Sequence, residues 1–204
     1  MVRRVIHLID DDDAIRRSAG FLLRTSGFEV ATYVSGIEFL AGAKSAEAGC
    51  VLLDIRMPAM DGLDVQRAMI ERGIAMPVIM LTGHGEVTLA VSAMKAGAID
   101  FIEKPFEKAT LLAAIEQAFD RMDDTGRHRL DEAAASVQLA ALTPRERDVL
   151  EGLVQGLPNK TIAFDLGISP RTVEVHRFNL MHKLGAGSLS EVLRIAFAAG
   201  LGTA

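Results

Sequence analysis

The sequence contains no tryptophan, one tyrosine and a single cysteine, Cys50. One cysteine cannot form an intramolecular disulfide, which excludes the class of small disulfide-stabilised secreted proteins and favours a reducing compartment. No stretch approaches the ~20 consecutive apolar residues that a membrane span requires. The first apolar run is only five residues long and ends in four aspartates, which does not fit a signal peptide. We therefore expect a cytoplasmic protein without a membrane partner.

Basic charge is also scarce. Residues 1–123 carry 13 Lys and Arg against 18 Asp and Glu, whereas residues 124–204 carry nine of each. Within residues 158–184 the balance is net basic by two charges, and this small excess indicates where an anionic partner such as a nucleic acid would bind. Half of the 204 residues are hydrophobic, which is enough for two separate cores.

The first of these cores is predicted in residues 1–122, where short β-branched runs alternate with helical periods. Five successive βα units are typical of a doubly wound, parallel five-stranded α/β sheet of the flavodoxin-like kind. The predicted strands are Val5–Asp10, Glu29–Tyr33, Val51–Asp54, Val78–Thr82 and Asp100–Glu103. The predicted helices are Ala14–Ser26, Gly36–Ala43, Leu63–Glu71, Val87–Ala96 and Ala109–Met122.

The second core is predicted in residues 142–204 and is all helical. Thr143, Pro144 and Glu146 form a capping-box pattern that begins the first of four helices, which ends near residue 155. Helices at 159–166 and 170–184, joined through a glycine turn, are typical of a helix-turn-helix, and a last helix covers 189–199. Residues 123–141 are predicted to be an inter-domain linker, either loose or partly helical.

Acidic side chains follow two strands of the predicted sheet. Asp10 and Asp11 come directly after the first strand, and Asp54 ends the third. Because the carboxyl ends of parallel strands share one crevice, we expect these carboxylates to converge. Crowded carboxylates resist ionising together unless a cation holds them, and hard oxygen ligands suit Mg²⁺. Thr82 and Lys104 end the fourth and fifth strands, so the crevice offers a metal, a hydroxyl and an ammonium to a phosphoryl group.

In their order and spacing these motifs resemble the receiver domain of two-component response regulators. The resemblance implies that Asp54 is the phosphoacceptor, that Asp10, Asp11, Asp54 and the backbone carbonyl of Arg56 hold Mg²⁺, and that Thr82 and Lys104 bind the phosphoryl oxygens. It also implies a cis Lys104–Pro105 bond. Further implied are a switch residue, Phe101, and a dimer face on the fourth helix, which carries Val87, Val91 and Lys95. The apolar side chains of that helix fit burial against the sheet equally well.

The helix over 170–184 has a core stripe of Val173, Leu180 and Leu184 and an opposite face that would enter the major groove. The residues predicted to contact DNA are Lys160, Arg171, Thr172, Glu174, Val175, Arg177, Phe178, Asn179 and Lys183. In this set Glu174 suits a cytosine amino group, Val175 suits a thymine methyl group, and the basic residues suit phosphates.

The runs Leu142–Leu150, Gly156–Lys160 and Ile168–His176 resemble the LuxR-type DNA-binding domain, and the whole chain is similar to response regulators of the FixJ/NarL family, most of all to the FixJ type. Phe178 departs from the polar residue expected on the groove face. The resemblance implies a transcription factor that takes a phosphoryl group from a sensor histidine kinase, forms a homodimer, binds promoter DNA and contacts RNA polymerase. It implies no catalysis beyond the chain's own phosphorylation and dephosphorylation.

Two other functions stay open at this point. The pair Asp10 and Asp12 fits a Mg²⁺-dependent phosphatase with an aspartyl nucleophile, although that function leaves Asp54 and the helical domain without a role. A regulator that acts through protein partners alone, without phosphate, is disfavoured by the complete set of acids together with Thr82 and Lys104.

Overall fold

The computed structural model describes residues 4–83, 87–123 and 132–202. These residues divide into two compact units, one of residues 4–83 and 96–123 and the other of residues 87–95 and 132–202. The strands are β1 (Val5–Ile9), β2 (Glu29–Tyr33), β3 (Gly49–Asp54), β4 (Val78–Thr82) and β5 (Asp100–Glu103). The helices are α1 (Asp13–Thr25), α2 (Gly36–Gly42), α3 (Gly62–Glu71), α4 (Val87–Lys95), α5 (Lys108–Asp123), α6 (Glu132–Ala140), α7 (Pro144–Val154), α8 (Asn159–Leu166), α9 (Pro170–Leu184) and α10 (Leu189–Ala198).

The first unit is built on a five-stranded parallel sheet in the order β2-β1-β3-β4-β5, which confirms the predicted fold class. Its register aligns the strand ends: Ile9 pairs with Leu53, and Asp54 pairs with Leu81. The residues that follow β1 and those that end β3 therefore lie side by side, as expected at the carboxyl ends of neighbouring parallel strands.

Alternate residues of the central strands pack on the two faces of this sheet. On one face Ile6, Leu8 and Leu52 belong to a continuous core that also contains Phe28 and Phe119, whose rings stack with centroids 6.0 Å apart. β1, β3 and β4 are buried along their whole length, as expected for strands covered on both faces.

A polar residue, His7, is buried in β1 with its hydrogen bonds satisfied. Its Nδ1 lies 3.2 Å from the hydroxyl of Tyr33, and its Nε2 lies 2.9 Å from the carbonyl oxygen of Glu47. Because a carbonyl oxygen only accepts, Nε2 carries the proton and Nδ1 accepts from Tyr33. His7 is therefore a packed core residue.

The start of α1 explains why two of the four consecutive aspartates play a purely local role. Asp12 is the N-cap, and its Oδ1 accepts from the backbone N–H of Ala14 at 2.7 Å and of Ile15 at 3.4 Å. Asp13 lies in the first turn, where a carboxylate opposes the positive end of the helix dipole. Both residues therefore serve the helix N-terminus.

The second unit contains the helix-turn-helix formed by α8 and α9. Gly167 joins them in the left-handed conformation, with φ of 65°, and Ser169 caps α9 by accepting from the backbone N–H of Thr172. The capping box of Thr143 and Glu146 begins α7, as predicted. None of the described helices has the length and hydropathy that crossing a membrane demands.

The predicted linker, residues 123–141, contains a packed helix. Ala135 and Leu139, one helical turn apart in α6, are both buried, and α6 contacts α9 and α10. Of the two alternatives left open for this segment, loose or partly helical, residues 132–140 adopt the helical one; their composition could not decide because an alanine-rich stretch has no strong two-faced pattern. Residues 124–131 lie outside the described part of the chain.

Candidate functional site

Lys104 joins the two buried aspartates at the carboxyl end of the sheet. Its Nζ lies 2.7 Å from Oδ2 of Asp10 and 2.9 Å from Oδ1 of Asp54. Asp10 is fully buried, and Asp54 is 6% exposed. Two carboxylates this close repel each other unless a cation lies between them, and the ammonium group of Lys104 supplies that positive charge.

Asp10, Asp11 and Asp54 present three carboxylates that can reach one cation. One oxygen from each lies within 4.8 Å of the others. Hard, anionic oxygen donors at this separation fit Mg²⁺, which takes one or two carboxylates and keeps several waters. Asp12 is not part of the group, because its carboxylate caps α1.

The surroundings of Asp54 alter its protonation. Burial raises the pKa of the Asp54 carboxyl, and the charge of Asp10 adds to this increase, whereas hydrogen bonds from Lys104 and from the backbone of Arg56 oppose it. Burial alone would lower the pKa of Lys104, but hydrogen bonds to Asp10 and Asp54 raise it. Lys104 therefore keeps its charge, and ionised Asp54 depends on a neighbouring cation.

Thr82 occupies the end of β4, next to this acidic group in the sheet. It is buried and pairs with Glu103, and its carbonyl oxygen accepts from the backbone N–H of Lys104 at 2.8 Å. The Lys104–Pro105 bond is cis, as the resemblance implied. The strand ends thus hold Thr82 and Lys104 on adjacent strands beside Asp54.

The residues predicted for the switch and the dimer face lie in β5 and α4. Phe101 is half-buried in β5, opposite Met80 of β4. Val91 is buried, and Nζ of Lys95 lies 5.9 Å from the centre of the Phe197 ring, within range of a cation–π contact. The side chain of Val87 lies outside the described part of the chain.

In the second unit, α9 has a buried side and an exposed side. Val173, Leu180 and Leu184 are buried, as predicted. Facing away from them, Phe178 is 70% exposed and Val175 is 53% exposed. Also exposed are Arg171, Glu174 and Lys183, while Thr172, Arg177 and Asn179 are half-buried, and Lys160 is exposed at the start of α8.

Two of the predicted phosphate-binding residues make contacts inside this unit. Nη1 of Arg177 donates to Oδ1 of Asn159 at 2.8 Å, and burial lowers the pKa of Arg177 despite the nearby charge of Glu174. Nζ of Lys183 donates to Oε2 of Glu146 at 2.7 Å. Sequence spacing cannot reveal either pair, because the partners lie 18 and 37 residues apart.

Two families match the chain, each over one part of it. The response regulator receiver domain matches residues 6–116, and the family of bacterial regulatory proteins of the luxR type matches residues 140–196. The transcriptional regulatory protein FixJ of Azorhizobium caulinodans is 49% identical over 98% of this chain and 94% of its own length. FixJ of Rhizobium meliloti is 45% identical over 99% of both chains. The chain belongs to the FixJ-like two-component response regulators.

Solved structures of such response regulators agree with this assignment. Full-length FixJ from B. japonicum is 44% identical and covers 98% of both chains, with a TM-score of 0.60. The response regulator StyR is 38% identical and covers 96% of this chain and 99% of its own, with a TM-score of 0.57. The FixJ-like family consists of transcriptional response regulators and not of metabolic enzymes, so it accounts for Asp54 and for the helical domain together.

Proposed function

We propose that this response regulator accepts a phosphoryl group on Asp54 from the phosphohistidine of a sensor kinase, and that phosphorylation controls its binding to promoter DNA. The observation that carries this proposal is the position of Lys104, whose ammonium group lies within 3 Å of both Asp10 and Asp54. A cation held beside a buried carboxylate is the arrangement that phosphoryl transfer to that carboxylate needs.

The side chains at the strand ends can carry out each step of the phosphoryl transfer. An oxygen of Asp54 attacks phosphorus and forms an acyl phosphate while the phosphorus–nitrogen bond breaks and its electron pair returns to the imidazole of the kinase. Lys104 and Thr82 donate to the oxygens of the phosphoryl group, whose negative charge spreads in the transition state. Asp10, Asp11, Asp54 and the carbonyl of Arg56 would hold Mg²⁺, which supplies further positive charge to those oxygens when bound. Slow hydrolysis of the acyl phosphate by water resets the site.

The phosphatase alternative loses support from the helix cap. A catalytic acid on Asp12 would need a free carboxyl, but Oδ1 of Asp12 accepts two backbone N–H groups of α1. The nucleophile of that alternative, Asp10, has no exposed surface, and both its oxygens accept hydrogen bonds, Oδ1 from the backbone N–H of Asp12 and Oδ2 from Lys104, whereas Asp54 keeps 6% of its surface exposed. Asp54 is therefore the better phosphoacceptor.

Phosphorylation would act on DNA binding through the homodimer. The chain is acidic overall and carries few basic residues on the helix-turn-helix, so one copy neutralises few phosphates and binds weakly. Two copies joined through α4 and β5, with Val87, Val91, Lys95 and Phe101 as predicted contacts, would place two α9 helices on two half-sites and multiply the affinity. RNA polymerase is the expected partner once the dimer occupies a promoter.

The test uses the full chain and a randomised duplex pool, with Mg²⁺ and a small phosphodonor present or absent. We expect donor-dependent gain of one phosphoryl group by mass and donor-dependent enrichment of a site with two half-sites, both absent in Asp54→Asn. The matched control is Asp120→Asn, an exposed aspartate of α5, which should behave as the unchanged chain. Equal enrichment in every sample would refute phosphate control and favour regulation by protein partners alone.

A further inference from the structure

Phe178 and Val175 form an exposed apolar patch on α9. Phe178 is 70% exposed and Val175 is 53% exposed. Residues three apart on a helix are neighbours on its surface, so the two side chains adjoin each other. The buried residues of α9, Val173, Leu180 and Leu184, lie on the other side of the helix. The patch therefore faces away from the core of the domain, on the side that a helix-turn-helix presents to the major groove.

The two apolar side chains of this patch are not suited to bind the phosphates of the DNA backbone. A phosphate oxygen gains nothing from a phenyl ring, whereas basic and hydroxyl side chains bind it well. Removing an exposed phenyl ring from water is favourable when the ring then contacts another apolar group. On the base edges of the major groove, the apolar group is the methyl on carbon 5 of a pyrimidine.

We propose that Phe178, assisted by Val175, recognises the 5-methyl group of a pyrimidine in the major groove and so selects the DNA site. This inference rests on the proposed binding of promoter DNA by α9. Thymine carries the methyl group in ordinary DNA, and 5-methylcytosine carries it at the same position of the ring. The patch reads the methyl group itself, whichever of these two bases bears it.

The flanking side chains restrict this patch to one part of the groove. Arg171 is exposed one turn before Val175 on the same side of α9, where it can reach a phosphate. Glu174, also exposed, precedes Val175 directly and repels phosphates, which favours placing this part of the helix over base edges. Val175 and Phe178, on the same side of α9, then lie along the major groove over the base edges.

The first step of the test is selection of a site from a randomised duplex pool by the phosphodonor-treated full chain. We expect thymine at one position of each half-site, and we expect that preference to disappear when Phe178→Ala is used for the selection. Four duplexes then carry thymine, uracil, cytosine or 5-methylcytosine at that position. Removal of the methyl group, as uracil or as unmethylated cytosine, should weaken binding about fourfold for each half-site. A dimer on two half-sites should therefore lose about 16-fold.

Another exposed phenylalanine of the same unit provides the matched control. Phe164 of α8 is 86% exposed and lies outside α9, so Phe164→Ala removes a phenyl ring of similar exposure. Phe164→Ala should keep the full discrimination between thymine and uracil, whereas Phe178→Ala should lose most of it. Since both side chains are exposed, both variants should fold, which circular dichroism would verify.

Three results would overturn the inference. Equal affinity with and without the methyl group, on thymine and on cytosine alike, would show that no methyl group is read. Uniform weakening of all four duplexes in Phe178→Ala would indicate that the ring inserts between base pairs. Failure of the unchanged chain to enrich any site would overturn the proposed DNA binding as well, whereas enrichment without uracil sensitivity overturns this inference alone.

Discussion

Nζ of Lys183 lies 2.7 Å from Oε2 of Glu146, and this ion pair joins the last turn of α9 to the first turn of α7. The same carboxylate oxygen accepts from the backbone N–H of Thr143 at 2.8 Å, which completes the capping box of α7. Glu146 is 4% exposed. One buried carboxylate thus holds a helix start and a neighbouring helix end together.

Lys183→Met should therefore weaken the helical unit, because it removes a charged partner from the buried Glu146. We expect a loss of about 1–2 kcal/mol, moderated because the Lys183 side chain is one-third exposed. Hydrogen exchange followed by mass spectrometry should show faster exchange in peptides of α7 and α9, by a factor of about 5–30. Peptides from β1 and β3 serve as the internal reference.

The same variant tests the predicted phosphate contact of Lys183. The control is Lys160→Met, at the exposed start of α8, which should leave hydrogen exchange unchanged and reduce the salt dependence of DNA binding by about one phosphate. If Lys183→Met reduced the salt dependence in the same way and left hydrogen exchange unchanged, Lys183 would be a phosphate ligand rather than a structural cation.

The acid stability of the helical unit should depend on Glu146. Burial works against ionisation of this carboxyl, but hydrogen bonds from Lys183 and Thr143 outweigh it and lower the pKa of Glu146. A carboxyl whose pKa is lower in the folded state contributes stability above its unfolded pKa, about 4.5, and loses it as the pH falls through the folded value. Stability of α7 and α9 should therefore decline below about pH 4.5.

Glu146→Gln isolates this contribution. The glutamine can still cap α7 but carries no charge, so the variant should be less stable at neutral pH and should lose less stability on acidification. Glu151→Gln, an exposed position of the same helix, should keep the acid dependence of the unchanged chain. The measurement is hydrogen exchange of α7 peptides between neutral pH and acid, corrected for the intrinsic pH dependence of exchange. Identical profiles for Glu146→Gln and Glu151→Gln would contradict the assignment.

The sheet and the acidic site could be predicted from sequence because each depends on local patterns. The strands were placed within one or two residues by their apolar runs, and the parallel topology then brought Asp10 and Asp54 together, since strand ends in such a sheet share one edge. The helix starts followed from capping side chains such as Thr143 and Ser169.

The contacts that could not be predicted depend on tertiary packing. The sequence marks Glu146 as a capping residue, but its pairing with Lys183 spans 37 residues and leaves no periodic signal. The sequence suggests phosphate contacts for Lys183 and Arg177 from their charge alone, because it does not show which cations already have a partner. The helix at 132–140 was one of two alternatives for the linker, and the sequence could not choose between them because alanine provides little amphipathic contrast.

Asp54→Asn should stabilise the sheet unit in the absence of divalent metal. Burial raises the pKa of Asp54, so its ionised form costs native stability once the pH exceeds the ordinary carboxyl value, and this cost persists at neutral pH. The uncharged amide of Asp54→Asn removes this cost. We expect a higher Tm for Asp54→Asn than for the unchanged chain in a chelating buffer, measured by calorimetry.

Addition of Mg²⁺ should reverse the order of the two Tm values, so that the unchanged chain becomes more stable than Asp54→Asn. A ligand that binds only the folded state raises its stability by mass action, so the Tm of the unchanged chain should rise with Mg²⁺ concentration. The rise in Tm should be much smaller in Asp54→Asn and in Asp11→Asn, which lose an oxygen ligand. The exposed control Asp120→Asn should show the same rise as the unchanged chain. An equal rise in Asp54→Asn would mean that Asp54 does not hold the metal.

Gly62→Ala should disturb the phosphoacceptor through the backbone. A Cβ at Gly62 would lie 2.4 Å from the carbonyl oxygen of Asp54 and 2.9 Å from Cα of Ile55, and backbone atoms cannot rotate away as a side chain can. The N–H of Gly62 also donates to the carbonyl of Ile55 at 2.9 Å, so the two segments are held together. We expect a loss of about 1–3 kcal/mol, measured by thermal unfolding.

The displacement of Asp54 should also slow its phosphorylation. A shift of about 1 Å in a reacting group can cost up to about 100-fold in rate, so the initial rate of phosphoryl incorporation from a small donor should fall in Gly62→Ala well beyond its loss of stability. Gly42→Ala is the matched control: Gly42 ends α2, its Cβ would meet nothing within 4 Å, and alanine there should be neutral or stabilise by a few tenths of a kcal/mol. Equal rates in the two variants would mean that the segment carrying Gly62 can yield without moving Asp54. A slow Gly62→Ala beside an unchanged Gly42→Ala would show that the close approach of this glycine positions the phosphoacceptor.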